Sequence, residues 1–136
     1  QRQMCIRDRG TAVWTAEPEG FDDTALSLAA GRRTEAAANT STLCDALLPP
    51  LPGVLTFPIL RDFAAGGLAV GDESVRRAMA TAFLHFKLVV EPGGAVALAA
   101  VLDGRLRDGG STVVCICSGG NVEPALYADI LGDRLP

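Results

Sequence analysis

Aromatic residues are scarce in this sequence, at 5% of 136 positions, so any core must be filled by smaller aliphatic side chains. Ala, Gly, Leu and Val dominate a hydrophobic fraction of 49%. That mixture suits helices packed closely on a buried parallel sheet. Clustered basic charge is also missing. The net charge is −4 and the charges are scattered, which argues against nucleic acid as a partner. No apolar run reaches the ~18 residues of a membrane span. The longest candidate, residues 88–102, contains Glu91 and Pro92. No hydrophobic signal-peptide core opens the chain. These absences point to a cytoplasmic protein.

Cysteine is limited to Cys5, Cys44, Cys115 and Cys117. Cys115 and Cys117 sit two apart in an apolar run and share one face of a strand. Without a further Cys or His cluster they make a poor zinc signal, and they read as reduced core thiols. Cys44, beside Asp45, is a candidate pocket thiol. The one histidine, His85, lies on a helical stretch with no Ser or Cys beside it, and reads as structural or exposed.

The length suits one domain or a large piece of a bigger one. Residues 1–9 have no period and no cap, and the string Gln3-Met4-Cys5-Ile6-Arg7-Asp8-Arg9 resembles translated sequencing adapter. They are expected to be a non-native or unstructured leader, with the fold carried by residues 10–136. Residues 11–16 form an apolar strand candidate, broken by Glu17-Pro18-Glu19-Gly20. Asp22 or Asp23 is expected to cap a helix over 24–30, ended by Gly31. Residues 32–39 read as loop and 40–53, with three prolines, as irregular. A helix follows over 56–65, ended by Gly66-Gly67, and then a short strand over 68–70. Asp72 opens the clearest helix, running to Lys87, with Val75, Met79, Ala82, Phe83 and Phe86 at three- and four-residue steps. Residues 88–90 read as extended. Glu91-Pro92 starts a helix whose residues 94–102 are nearly all apolar and so buried on every side. Gly109-Gly110 turns the chain into a strand over 112–117, and a helix covers 123–131. Strands alternating with helices predict an α/β fold with a mostly parallel sheet and flanking helices.

Two motifs carry chemistry. Ser118-Gly119-Gly120-Asn121 joins the strand 112–117 to a helix, where open α/β sheets place ligands. Its glycines allow close backbone approach, and the helix start offers free N–H groups. A plain tight turn is the competing reading. No Walker lysine follows it, and no G-x-G-x-x-G dinucleotide signature occurs. Glu91 places a carboxylate between an apolar strand and an apolar helix, costly unless paired or used. The competing reading is a helix-start acid next to an N1 proline.

In order, Glu91-Pro92-Gly93-Gly94-Ala95 and then Ser118-Gly119-Gly120-Asn121-Val122 resemble the C-terminal signature of the threonine dehydratase and serine racemase group. That group belongs to the tryptophan-synthase-β-like, fold type II pyridoxal-phosphate enzymes. Three upstream blocks agree in order: Ala16-Glu17-Pro18-Glu19-Gly20-Phe21-Asp22-Asp23, Thr42-Leu43-Cys44-Asp45-Ala46 and Thr56-Phe57-Pro58-Ile59. The likeness covers residues 11–131.

The resemblance implies a partial large domain of that fold, and roles for named residues. Ser118 would hydrogen-bond the cofactor's ring nitrogen, and Gly119, Gly120 and Asn121 would shape that edge. Glu91 would lie beside the ring. Asp45 and Ala46 would lie on the substrate side, although Ala46 replaces the family's usual glycine. Glu17 and Asp23, with the Phe21 carbonyl, match a structural or regulatory Mg²⁺ or Ca²⁺ site found in part of the family, where oxygen ligands suit a hard cation. The competing roles are Asp23 as a helix cap and Glu17 as a solvated side chain. The only lysine, Lys87, matches the family's Lys-Leu-Val-Glu-Pro segment, not its Schiff-base block, and reads as a surface residue. No glycine-rich phosphate loop is present. The chain is therefore expected to be a C-terminal fragment with no catalytic residue of its own, inactive and poorly folded alone.

The implied activity of the intact protein is an ammonia-lyase reaction on threonine or serine by a homo-oligomer. A racemase or β-substitution enzyme of the same fold is the near alternative. A non-catalytic α/β module binding a small molecule is the distant one.

Overall fold

The computed structural model describes residues 11–37, 41–106 and 112–133. The expected leader and the Gly109-Gly110 turn lie outside these residues. Element order is β1 (Val13–Pro18), α1 (Asp23–Ala30), a 3₁₀ turn (Asp45–Leu47), α2 (Thr56–Phe63), β2 (Ala64–Val70), α3 (Asp72–Thr81), α4 (Pro92–Leu102) and α5 (Pro124–Gly132). A single π turn, Ala82–Phe86, prolongs α3. The α/β class with parallel pairing is as expected: β1 and β2 run parallel, in register from Trp14 opposite Gly66 to Pro18 opposite Val70.

The strand continues through Glu17-Pro18 instead of breaking there. Pro18 has no N–H to donate, and the next residue makes the bond instead, with Glu19 N–H to Val70 O at 2.9 Å. Gly66-Gly67 do not end a helix. They lie inside β2, and the preceding helix stops at Phe63. Close packing explains both glycines. A Cβ at Gly66 would meet the Trp14 ring at 2.6 Å, and one at Gly67 would run into Ala25 of α1 and lie 2.9 Å from Thr15 Oγ1. β2 can therefore approach Trp14 and α1 only without side chains at these two positions.

Alternate residues of the strands face opposite ways. Glu17 and Gly67 face α1. Ala16 and Leu68 pack against a core that holds Val70, Val75, Met79, Val90, Ala95, Leu98, Ala99 and Ile130. α4 supplies much of that core, being buried at Pro92, Gly94, Ala95, Val96, Leu98, Ala99 and Ala100. Its last residue, Leu102, is 50% exposed, so burial does not extend all round. α3 and α4 run in opposite senses: Ser74, in the first turn of α3, donates to Asp103 beyond the end of α4 at 2.6 Å.

The periodicity of α3 holds through Ala82 and then changes. Val75, Met79 and Ala82 are buried, whereas Phe83 and Phe86 are exposed. The π turn adds one residue per turn and rotates the face on which the last positions fall. Residues 88–90 and 112–117 run without a ladder partner among the described residues. A strand needs a second backbone to accept its N–H groups, and apolarity alone supplies none. The alternation survives in burial all the same. Cys115 and Cys117 are half-buried, while Val114 and Ile116 between and beside them are exposed.

Candidate cofactor edge at the start of α4

α4 begins with Pro92 at its first position, where a missing N–H costs nothing, and extended Glu91 leads into it. The Ser118–Asn121 tetrapeptide lies across this helix start. Glu91 N–H donates to Gly119 O at 3.2 Å. In return the Asn121 N–H donates to Glu91 Oε2 at 3.0 Å. The two motifs singled out from the sequence are thus locked together by a reciprocal pair of hydrogen bonds.

The glycines make that lock sterically possible. Gly119 has φ +80°, a left-handed conformation that glycine adopts freely, and a Cβ there would sit 2.6 Å from Glu91 Oε2. A Cβ on Gly94 would run into the Ser118 carbonyl oxygen. Gly120 is less tight, with the Val89 oxygen 3.0 Å from its would-be Cβ. Gly93 faces the 3₁₀ turn instead, 3.5 Å from Leu47 and 3.6 Å from the Ala46 Cβ. Three segments, 45–47, 89–94 and 118–121, therefore meet at one end of α4.

Ser118 and Asn121 are exposed at this meeting point, and Asp45 and Ala46 are exposed on the turn beside it. The donor set fits one edge of a flat pyridine-type cofactor. Ser118 offers a neutral hydroxyl, and the Glu91 carboxylate is already engaged by the Asn121 N–H. No phosphate cradle and no amine belong to the set. Lys87 is exposed and sits in a left-handed conformation at φ 60°, and its Nζ donates to the Leu84 carbonyl at 2.7 Å. His85 is exposed, in line with a surface role.

Glu17, Phe21 and Asp23 lie elsewhere. Arg105, beyond the C-terminal end of α4, reaches Glu19 at 3.6 Å, whereas Glu91 marks the N-terminal end. Glu17 acts locally, on the start of α1. Its Oε1 accepts the Thr24 N–H at 3.1 Å and its Oε2 the Ala25 N–H at 2.9 Å. Asp22, at the N-cap, makes no side-chain cap bond. The expected aspartate cap is replaced by a glutamate reaching across from the end of β1. Burial pushes the Glu17 carboxyl upward. Burial and the Glu17 charge push Asp23 up to about 6. Two carboxylates and one carbonyl are a partial shell for a cation that takes six or more oxygens. Among the described residues no group of three or more His, Cys, Asp or Glu is placed to hold a metal.

Cys44 is fully buried in the core, and burial pushes its thiol up to about 11. It remains a protonated thiol near neutral pH, which removes it as a reactive pocket group. Sequence reasoning missed Tyr127 and the partnership of Asp72 with Thr42 and Leu43. The Tyr127 ring stands edge-on to Phe83, with centroids 5.8 Å apart, and its hydroxyl donates to Leu88 O at 3.4 Å, tying α5 to the lead-in of α4. As the only tyrosine in an aromatic-poor chain, it was the one signal that could have pointed there. Asp72 accepts hydrogen bonds from Thr42 and Leu43, about thirty positions away in sequence, and no local pattern announces such a partner.

A family model described as pyridoxal-phosphate dependent enzyme matches residues 3–119. Serine racemase of Dictyostelium discoideum is 35% identical over 122 residues, covering 88% of this chain and 37% of the relative. L-threonine ammonia-lyase of Geobacter sulfurreducens is 42% identical over 84 residues, covering 62% of this chain and 21% of the relative. Among solved structures, a T.th. threonine deaminase superposes with a TM-score of 0.80 at 38% identity, over 88% of this chain and 43% of that one. Maize serine racemase superposes with a TM-score of 0.79 at 32% identity, over 96% and 40%. The chain spans less than half the length of each of these relatives.

Proposed function

This chain belongs to the pyridoxal-phosphate-dependent enzymes, with their tryptophan-synthase-β-like fold, and we propose that the whole protein is an ammonia-lyase acting on L-threonine or L-serine. The observation that carries this reading is the lock between Glu91 and the Ser118–Asn121 turn. Pyridoxal phosphate, when bound, supplies the electron sink for reaction at the amino acid's α-carbon.

The chain's own residues supply one side of the pocket. The Ser118 hydroxyl would face the ring nitrogen as a neutral partner, without holding a proton there as a carboxylate would. Such a neutral partner would suit elimination of the β-hydroxyl. Gly119 and Gly120 keep side chains out of this edge, and Glu91 fixes the turn through the Asn121 N–H. Asp45 and Ala46 stand on the amino-acid side. Lys87, the only lysine in these 136 residues, is not assigned the role of holding the cofactor. The substrate loses its α-proton and its β-hydroxyl, and the product hydrolyses to a 2-oxo acid and ammonia. Glu17, Asp23 and the Phe21 carbonyl form a candidate structural cation site remote from the reaction.

The test is expression of the full-length gene with the cofactor and an assay of 2-oxo acid from both amino acids. Absence of product from either, with cofactor bound, overturns the lyase reading. A racemase is the second reading, favoured by the serine racemases among the relatives. Chiral analysis of the remaining amino acid separates the two.

A further inference from the structure

Asp72 occupies the first position of α3, directly after β2, where an acid ordinarily serves the helix dipole. Its carboxylate does something else. Oδ1 accepts the Thr42 hydroxyl at 2.6 Å, and Oδ2 accepts the Leu43 N–H at 3.0 Å. The Thr42 hydroxyl oxygen in turn accepts the Cys44 N–H at 3.2 Å. The helix itself gains no side-chain cap bond from this end. The segment so held has no regular structure except the 3₁₀ turn Asp45–Leu47. It is also held by Cys44, fully buried, by Leu47, packed against the same core, and further along by the Ala36 N–H and the Arg33 guanidinium, which donate to Pro50 O and Pro52 O. Ala46 and Leu47 lie against Gly93, in the first turn of α4.

We propose that Asp72 is a positioning residue: its two carboxylate oxygens hold Thr42 and Leu43 so that the Asp45–Leu47 turn is set against the start of α4, on the amino-acid side of the pocket. The proposal rests on the reading of the site given above. A short irregular segment has few bonds of its own, so its placement depends on such external anchors. Asp72 acts through Thr42 and touches neither cofactor nor substrate. Loosening the anchor displaces the turn while leaving the Ser118–Asn121 edge, which is held separately by Glu91.

The experiment uses the full-length, cofactor-loaded protein with Thr42→Val, Thr42→Ser and Asp72→Ala. Thr42→Val is expected to raise KM for the amino acid by about tenfold with kcat within about twofold, the signature of lost substrate binding. Thr42→Ser, which keeps the hydroxyl, is expected to stay near wild type, and none of the three should change cofactor affinity. A second readout does not depend on turnover. Alkylation of Cys44 by iodoacetamide, followed by mass spectrometry, should be at least about tenfold faster in Asp72→Ala, because local opening exposes the thiol. An unchanged KM in Thr42→Val, equal loss in Thr42→Ser, or cofactor affinity falling with KM overturns the proposal. So does a Cys44 rate unchanged from wild type, which decides against the anchor even if the wild-type protein turns over neither amino acid. Failure of the wild type to turn over either substrate counts instead against the lyase reading.

Discussion

The dipeptide Glu-Pro occurs three times in this chain; Glu123-Pro124 opens α5, and the other two copies do different things. Glu17-Pro18 closes a strand, and the Glu17 carboxylate folds onto the start of the next helix, seven and eight residues on. Glu91-Pro92 opens a helix, and the Glu91 carboxylate takes an N–H thirty residues away. Both glutamates satisfy backbone donors, and one does so locally while the other joins segments distant in sequence. The first is half-buried next to a buried aspartate, and its carboxyl is pushed upward. The second lies beside an exposed turn. One Glu-Pro therefore builds the fold, and the other builds an edge on which a ligand can rest.

The comparison can be broken most forcefully at the second site. Gly94→Ala drives a methyl into the Ser118 carbonyl. It should cost about 3 kcal/mol, at the upper end for overpacking, and should abolish cofactor binding, as read by urea midpoint and cofactor absorbance in the full-length protein. Glu17→Ala comes next. It leaves the Thr24 and Ala25 N–H groups without their acceptor and should lower stability by about 2 kcal/mol, with cofactor affinity unchanged. Glu91→Ala should cost less stability, about 1 kcal/mol, because water can reach the exposed Asn121, yet it should weaken cofactor binding more than Glu17→Ala does. If Glu17→Ala harms cofactor binding and Glu91→Ala does not, the division between the two copies fails.

A smaller effect sharpens the first site. The Asp23 carboxyl, pushed from 3.8 up to about 6 in the fold, favours its neutral form there. Its contribution to stability is full below pH 3.8 and is lost as pH rises through about 6. Asp23→Asn should therefore raise the Tm at pH 8 relative to wild type and flatten its dependence between these values. If the pair seats a divalent cation, calcium will raise the wild-type Tm at pH 8 and leave that of Asp23→Asn unmoved. The smallest effect is expected of Lys87→Gly. Glycine accepts φ 60° readily, so stability should change by no more than about 0.5–1 kcal/mol, and turnover of the full-length enzyme should persist. Loss of turnover would return Lys87 to the chemistry.

Much of the fold was legible because its signals act over a few residues. Val75 and Met79 mark the buried face of α3, Gly31 at φ +68° stops α1, and Pro92 starts α4. The ordered Glu-Pro and Ser-Gly-Gly-Asn blocks identified the family, and the structure brings those two blocks into contact. The misreadings have a common physical cause. Gly66-Gly67 look like a helix stop until Trp14 and Ala25 are seen pressing on them. Residues 112–117 look like a strand, but a strand is defined by the backbone beside it. Phe83 and Phe86 follow the helical period until a π turn shifts their phase. Residue type and spacing set backbone preference and chemistry locally, and so determined the helices, the caps and the candidate ligands. Which carboxylate meets which donor, across the thirty positions between Thr42 and Asp72 or between Glu91 and Asn121, was decided only by packing, because a side chain's long-range partner is chosen by the shape of the whole core.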